Sequence, residues 1–103
     1  MPFPVPPGGA VEGETGYFCK GDGDCHLLVI HEDENILYEI WRASITSYRF
    51  SGGCAAVWDL DMQYPENLRG TDCTSSDAAG LPMTAMLFTP EEVQAGAIEH
   101  AIR

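Results

Sequence analysis

His26-Leu27-Leu28-Val29-Ile30-His31, Glu32-Asp33-Glu34-Asn35 and Ile36-Leu37-Tyr38-Glu39-Ile40-Trp41-Arg42 decide the fold class. Two runs rich in β-favouring residues, separated by four polar ones, read as a hairpin with a four-residue loop. The second run is apolar on both faces, with Ile36, Tyr38 and Ile40 on one and Leu37 and Trp41 on the other. That pattern predicts an interior strand of a covered sheet. Downstream, Cys54-Ala55-Ala56-Val57-Trp58-Asp59-Leu60-Asp61 places Cys54, Ala56, Trp58 and Leu60 on one face. Asp59 and Asp61 follow Ala55 and Val57 on the other. A shorter strand is expected over Ile45 to Phe50, broken by Gly52-Gly53. Together these elements predict a mainly β chain, an antiparallel β-sandwich of the jelly-roll kind.

The flanks are less regular. Residues 1–9 form a proline-rich arm expected to run extended along a surface, and residues 10–25 form a glycine-rich, acidic loop. The expected division is therefore an arm and loop over 1–25 and one β-rich domain over 26–103. Residues 62–80 read as a long polar loop anchored by Tyr64 and Leu68, and Leu81 to Phe88 as a further apolar stretch interrupted by Pro82. Thr89-Pro90-Glu91-Glu92 is a capping box with proline at the first helical position. It predicts a short helix over 90–95 with Gly96 as its C-cap, followed by a strand over 97–103.

Charge narrows the function classes. The 103 residues carry 5 Lys plus Arg against 16 Asp plus Glu, a net charge of -11. Scattered as Lys20, Arg42, Arg49, Arg69 and Arg103, the basic residues cannot build a phosphate-binding footprint, so no nucleic-acid partner is expected. Anionic membrane surfaces are disfavoured for the same reason. No run approaches the roughly 20 apolar residues of a membrane helix. The N-terminus lacks the basic and apolar regions of a signal peptide, so a secreted form has had its signal removed.

Cys19, Cys25, Cys54 and Cys73 allow three pairings. Intervals of 5, 28 and 18 residues fit no paired-thiolate zinc spacing. Pairs 19–25 and 54–73 are favoured: the first closes the loop Lys20-Gly21-Asp22-Gly23-Asp24, and the second brackets a strand and a polar loop. Disulfides imply an oxidising, extracellular setting.

Candidate chemistry rests on few residues. His26 and His31 stand on opposite faces of one strand and cannot share a site, and no nucleophile elbow is present. Asp59 with Asp61, or with Glu39 of a neighbouring strand, is a candidate carboxylate pair for glycosidic acid–base chemistry, against the commoner reading of solvated surface carboxylates. Asp22-Gly23-Asp24 supplies alternating oxygens for calcium without a complete twelve-residue loop; a charged turn is the simpler reading. Tyr17, Tyr48 and Tyr64 are candidate platforms for a sugar ring, whereas Trp41 and Trp58 are expected in the core.

A wider pattern includes Ala10-Val11-Glu12-Gly13, Gly23-Asp24-Cys25-His26-Leu27-Leu28-Val29-Ile30, Leu37-Tyr38-Glu39, Ala56-Val57-Trp58-Asp59-Leu60, Cys73-Thr74-Ser75-Ser76-Asp77-Ala78-Ala79-Gly80-Leu81-Pro82 and Gly96-Ala97-Ile98-Glu99-His100-Ala101-Ile102-Arg103. In this order the stretches resemble a largely uncharacterised group of secreted bacterial β-sandwich proteins, the segment around Asp77 being the most specific. The resemblance implies an N-terminal portion of a longer β-sandwich and, through members joined to carbohydrate-binding modules, work on polysaccharides. By position it points to His26, Glu39, Asp59, Asp77 and His100. Cys25 departs from the group, where a basic residue is common; the departure supports a local Cys19–Cys25 bridge.

The first expectation is thus a secreted domain that binds or processes a glycan, with Asp59, Asp77 and His100 as catalytic candidates and Tyr64, Tyr48, Glu39 and His26 as substrate contacts. Asp22 and Asp24 are the calcium candidates. A structural or assembly subunit is the alternative, pairing with another chain or with itself through the strand that ends at Arg103.

Overall fold

The structure, a computed structural model, describes residues 3–66 and 81–102. Strands β1 (His26–His31), β2 (Ile36–Trp41) and β5 (Cys54–Asp59) form an antiparallel sheet in the order β1-β2-β5. The hairpin and its four-residue loop are as the sequence implies, and β2 is the interior strand. Asn35 closes the loop with φ 54°, a left-handed conformation that asparagine tolerates better than most residues. Its N–H donates to Glu32 O at 3.3 Å, its carbonyl accepts Leu60 N–H at 2.9 Å, and its Nδ2 reaches Asp61 Oδ1 at 2.8 Å. One turn residue therefore fixes both the hairpin and the exit of β5.

Register sorts the side chains into two faces. His26, Leu28 and Ile30 stand beside Trp41, Glu39 and Leu37, which stand beside Cys54, Ala56 and Trp58. The opposite face carries Leu27 and Val29 with Tyr38 and Ile40, and these make the larger core with Val11, Cys25 and Ala43. Phe3, Tyr17, Cys19, Ile36, Ile45 and Val57 pack around it. The arm and loop before β1 therefore supply the core's second layer. Backbone bonds hold them there: Glu12 N–H to His26 O at 2.9 Å, Ala43 N–H to Cys25 O at 3.0 Å and Ile45 N–H to Tyr17 O at 2.9 Å. The Tyr17 hydroxyl donates to Pro6 O.

That covering layer explains why the two sheets do not close into a sandwich. The second sheet is a ribbon of two short strands, β3 (Ser44–Ile45) and β4 (Phe50–Ser51). The single strand expected over Ile45 to Phe50 reverses at Thr46–Arg49, where Thr46 N–H donates to Arg49 O at 2.9 Å. Gly52 turns the chain into β5 at a point where a Cβ would lie 2.9 Å from Ile40 Cγ2. The fold is mainly β, antiparallel, with one short helix.

Beyond β5 the sequence reading holds in part. Leu60, expected on the packed face, is 45% exposed because β5 ends at Asp59 and the chain turns, Met62 N–H donating to Asp59 O at 3.2 Å. The apolar stretch 81–88 contains a 3-10 turn, Thr84–Met86. Helix α1 (Pro90–Ala95) starts and stops at the expected caps, with the Thr89–Glu92 capping box formed and Gly96 left-handed at φ 76°. No strand follows. Residues 97–102 gain no ladder partner among the described residues, and His100 instead folds back to Glu92, Nε2 to Oε2 2.7 Å. No helix among the described residues is long and apolar enough to cross a membrane.

Candidate functional site

The face carrying Glu39 and Trp58 is crossed by the segment 82–87, which leaves a depression on either side. Glu39 fastens this strap. Its carboxylate is fully buried, yet Oε1 accepts the Trp58 indole N–H at 3.2 Å and Met83 N–H at 3.0 Å. Oε2 accepts Thr84 N–H at 2.6 Å and the Thr84 hydroxyl at 2.8 Å. A buried carboxylate survives only where such donors replace water. Glu39, expected as a substrate contact, therefore faces protein and not solvent. It also stands on the opposite face from Asp59, because Glu39 is in register with Ala56 and Asp59 with Ile36. The Glu39–Asp59 carboxylate pair is not assembled.

One depression, of about 190 Å³, is lined by Leu37, Trp58, Asp59, Leu60, Met62, Tyr64, Pro82 and Ala85. Here two sequence candidates meet, Asp59 at the end of β5 and Tyr64 beyond the turn. The Tyr64 ring packs edge-on against Trp58 with centroids 5.0 Å apart. Its oxygen accepts Asp59 N–H at 2.9 Å, which leaves the phenolic hydrogen free to donate. Asp59 Oδ1 accepts Asp61 N–H at 2.9 Å, and Oδ2 has no partner among the described residues. Where β5 ends, Asp59 and the Tyr64 hydroxyl thus border an apolar, aromatic floor. Asp61 spends an oxygen on Asn35, so Asp59 and Asp61 stabilise a turn.

The other depression, of about 290 Å³, is lined by Ala10, Val11, Glu12, His26, Leu28, Met83 and Leu87. His26 Nδ1 lies 2.6 Å from Glu12 Oε2. Sequence reasoning singled out His26 but not Glu12, which is brought beside it by a backbone bond from the loop to β1.

The remaining candidates are dispersed. His100 is bonded to Glu92 and to Ala101 O at 2.8 Å beside α1, and it lines neither depression. The Ala101 carbonyl holds its pKa above the ordinary value, aided by the Glu92 charge and opposed by burial. For Glu92, burial works upward, but the Thr89 backbone N–H, the Thr89 hydroxyl and His100 together hold it below the ordinary value. Tyr48 stands 99% exposed at the tip of the β3–β4 ribbon and lines neither depression. Asp77 and Cys73 lie outside the described residues.

The disulfide Cys19–Cys25 is present, and Cys54 is also disulfide-bonded. Glu14, Cys19 and Cys25 bring three potential ligand atoms within 4.8 Å of one another, but the two sulfurs are joined and offer no thiolate. Within the disulfide loop, Asp22 Oδ1 accepts Asp24 N–H at 3.0 Å, and Asp24 Oδ1 accepts the Trp41 indole N–H at 2.8 Å. Trp41 is accordingly half-buried, tied to the loop on one side and lying 5.4 Å below the Arg42 guanidinium on the other. Asp22 and Asp24 gather no third acidic ligand among the described residues, whereas calcium takes roughly 6 to 8 oxygens.

No protein-family model, no curated protein and no solved structure matches this chain.

Proposed function

We propose that this is an extracellular glycan-binding β domain that holds a sugar unit in the Trp58–Tyr64–Asp59 depression. The observation that carries the reading is the chemistry of that depression: an aromatic and aliphatic floor beneath a free carboxylate oxygen and a free phenolic hydrogen. A pyranose offers the complement, an apolar face ringed by hydroxyls that both donate and accept. The volume is below the roughly 300 Å³ of a drug-sized site, which suits a single ring or chain end. Binding is favoured over hydrolysis because Asp59 and His100 belong to different parts of the surface. The disulfides support an extracellular setting.

The test is a glycan-array screen of the full chain with Tyr64→Ala and Asp59→Asn beside it. At least one glycan class should bind, with both variants reducing binding by ten-fold or more. Silence across the array, or variants that bind as the parent does, overturns the reading.

A second reading is an assembly subunit. It is favoured by one observation: α1 buries no residue, and Leu87, Phe88, Val93, Ile98 and Ile102 around it are exposed.

A further inference from the structure

The His26–Glu12 depression is a separate place from the proposed sugar site, and its chemistry is different. We propose that it binds a small neutral compound carrying a hydroxyl on an apolar ring, the hydroxyl donating to His26 Nε2. The argument starts from the imidazole. Glu12 Oε2 sits 2.6 Å from Nδ1, and the tautomer that places the ring hydrogen between them leaves Nε2 as an acceptor. That nitrogen has no partner among the described residues, and the His26 side chain is only 15% exposed. An oriented, largely desolvated acceptor beside a cavity is the arrangement by which a protein fixes one hydroxyl.

The walls define the rest of the ligand. Val11, Leu28, Met83 and Leu87 offer aliphatic and thioether surface, and Glu12 is the one charged residue among the lining groups. With that carboxylate engaged by Nδ1 and a net charge of -11 on the whole chain, an anion is disfavoured and an uncharged hydroxyl is preferred. Both sides of the site are held before any ligand arrives. Glu12 N–H donates to His26 O at 2.9 Å, fixing the loop to β1, and Met83 N–H donates to Glu39 at 3.0 Å, fixing the strap to β2. Such preorganisation lowers the ordering cost of binding.

Phenol is the simplest probe and toluene its control, since the two differ chiefly in the donor. In an NMR titration of the isotope-labelled full chain, phenol should shift the Leu28, Met83 and Leu87 methyls and the His26 ring signals saturably. Toluene should bind at least ten-fold more weakly. His26→Phe keeps an aromatic ring, removes the acceptor and should abolish the preference for phenol. Should that variant lose its dispersed spectrum, Glu12→Ala supplies the same test at a side chain 61% exposed, with the preference for phenol over toluene reduced several-fold. Equal affinity for phenol and toluene, shifts confined to other residues, no shift at all, or a Glu12→Ala variant that keeps the parent's preference for phenol would each overturn the proposal.

Discussion

Glu39 shows what one residue can decide. A carboxylate in the middle of the most apolar strand is costly unless its lone pairs are met, and here Trp58, Met83 and Thr84 meet them across sequence separations of 19, 44 and 45. Glu39→Gln exchanges one acceptor oxygen for an amide that donates, which sets N–H against N–H at the strap. Leaving buried donors unmatched costs about 1–3 kcal/mol, and urea unfolding should report a loss in that range. Thr84→Val deletes only the hydroxyl donor, and a loss of about 1 kcal/mol is expected. A Glu39→Gln variant as stable as the parent would mean that the strap is not held by this carboxylate. The sequence marked Glu39 as a candidate carboxylate, but its donors were not visible there. Nothing local to Glu39 announces a backbone turn more than forty residues away.

At the scale of elements, what was legible was what is encoded locally. The β1–β2 hairpin follows from alternation on either side of a loop ending in a residue that accepts positive φ. Helix α1 follows from Thr89, Pro90, Glu92 and Gly96, each acting within one turn of itself. The segments that misled depend on distant partners. Ile45 to Phe50 has strand composition, yet it folds into a ribbon because its backbone meets Tyr17 and its own return. Residues 97–102 have strand composition too, but no ladder reaches them among the described residues. Their anchor is the Glu92–His100 pair, whose pH dependence can be given a sign. His100 is raised above 6.5 by the folded state, so its contribution is complete below that value and is lost as pH rises through the raised pKa. Glu92 is lowered below 4.5, so its contribution is present above that value and is lost as pH falls through the lowered one. The end of α1 is held most firmly between the two. An NMR titration of the His100 ring should therefore give a midpoint above 6.5 that drops in Glu92→Gln, with the Ala101 carbonyl retaining part of the shift. Identical midpoints in the two proteins would show that the pair does not form in solution.

At the scale of the whole molecule, two kinds of surface have different consequences. The face of the sheet that meets the N-terminal loops is closed over a core, and truncating a side chain there costs stability. The segment after the strap is the reverse: α1 buries nothing, while Phe88 is 56% and Val93 59% exposed. Apolar side chains that gain nothing from the fold can be removed without harming it, since surface substitutions usually stay within about 0.5 kcal/mol. If those side chains instead meet a second copy, their removal must appear in the association equilibrium. Phe88→Ser with Val93→Ser should leave the urea midpoint close to that of the parent. Light scattering on gel-filtered protein should show the parent gaining mass as concentration rises and the double variant remaining at the mass of a single chain. A parent that stays monomeric over the same range would remove the support for self-assembly, and a double variant that melts early would show that α1 packs more firmly on the domain than its exposure implies. The two readings of function separate on the same pair of residues, because neither Phe88 nor Val93 lines the Trp58–Tyr64–Asp59 depression. Glycan binding should pass through the double substitution unchanged, and self-association should not.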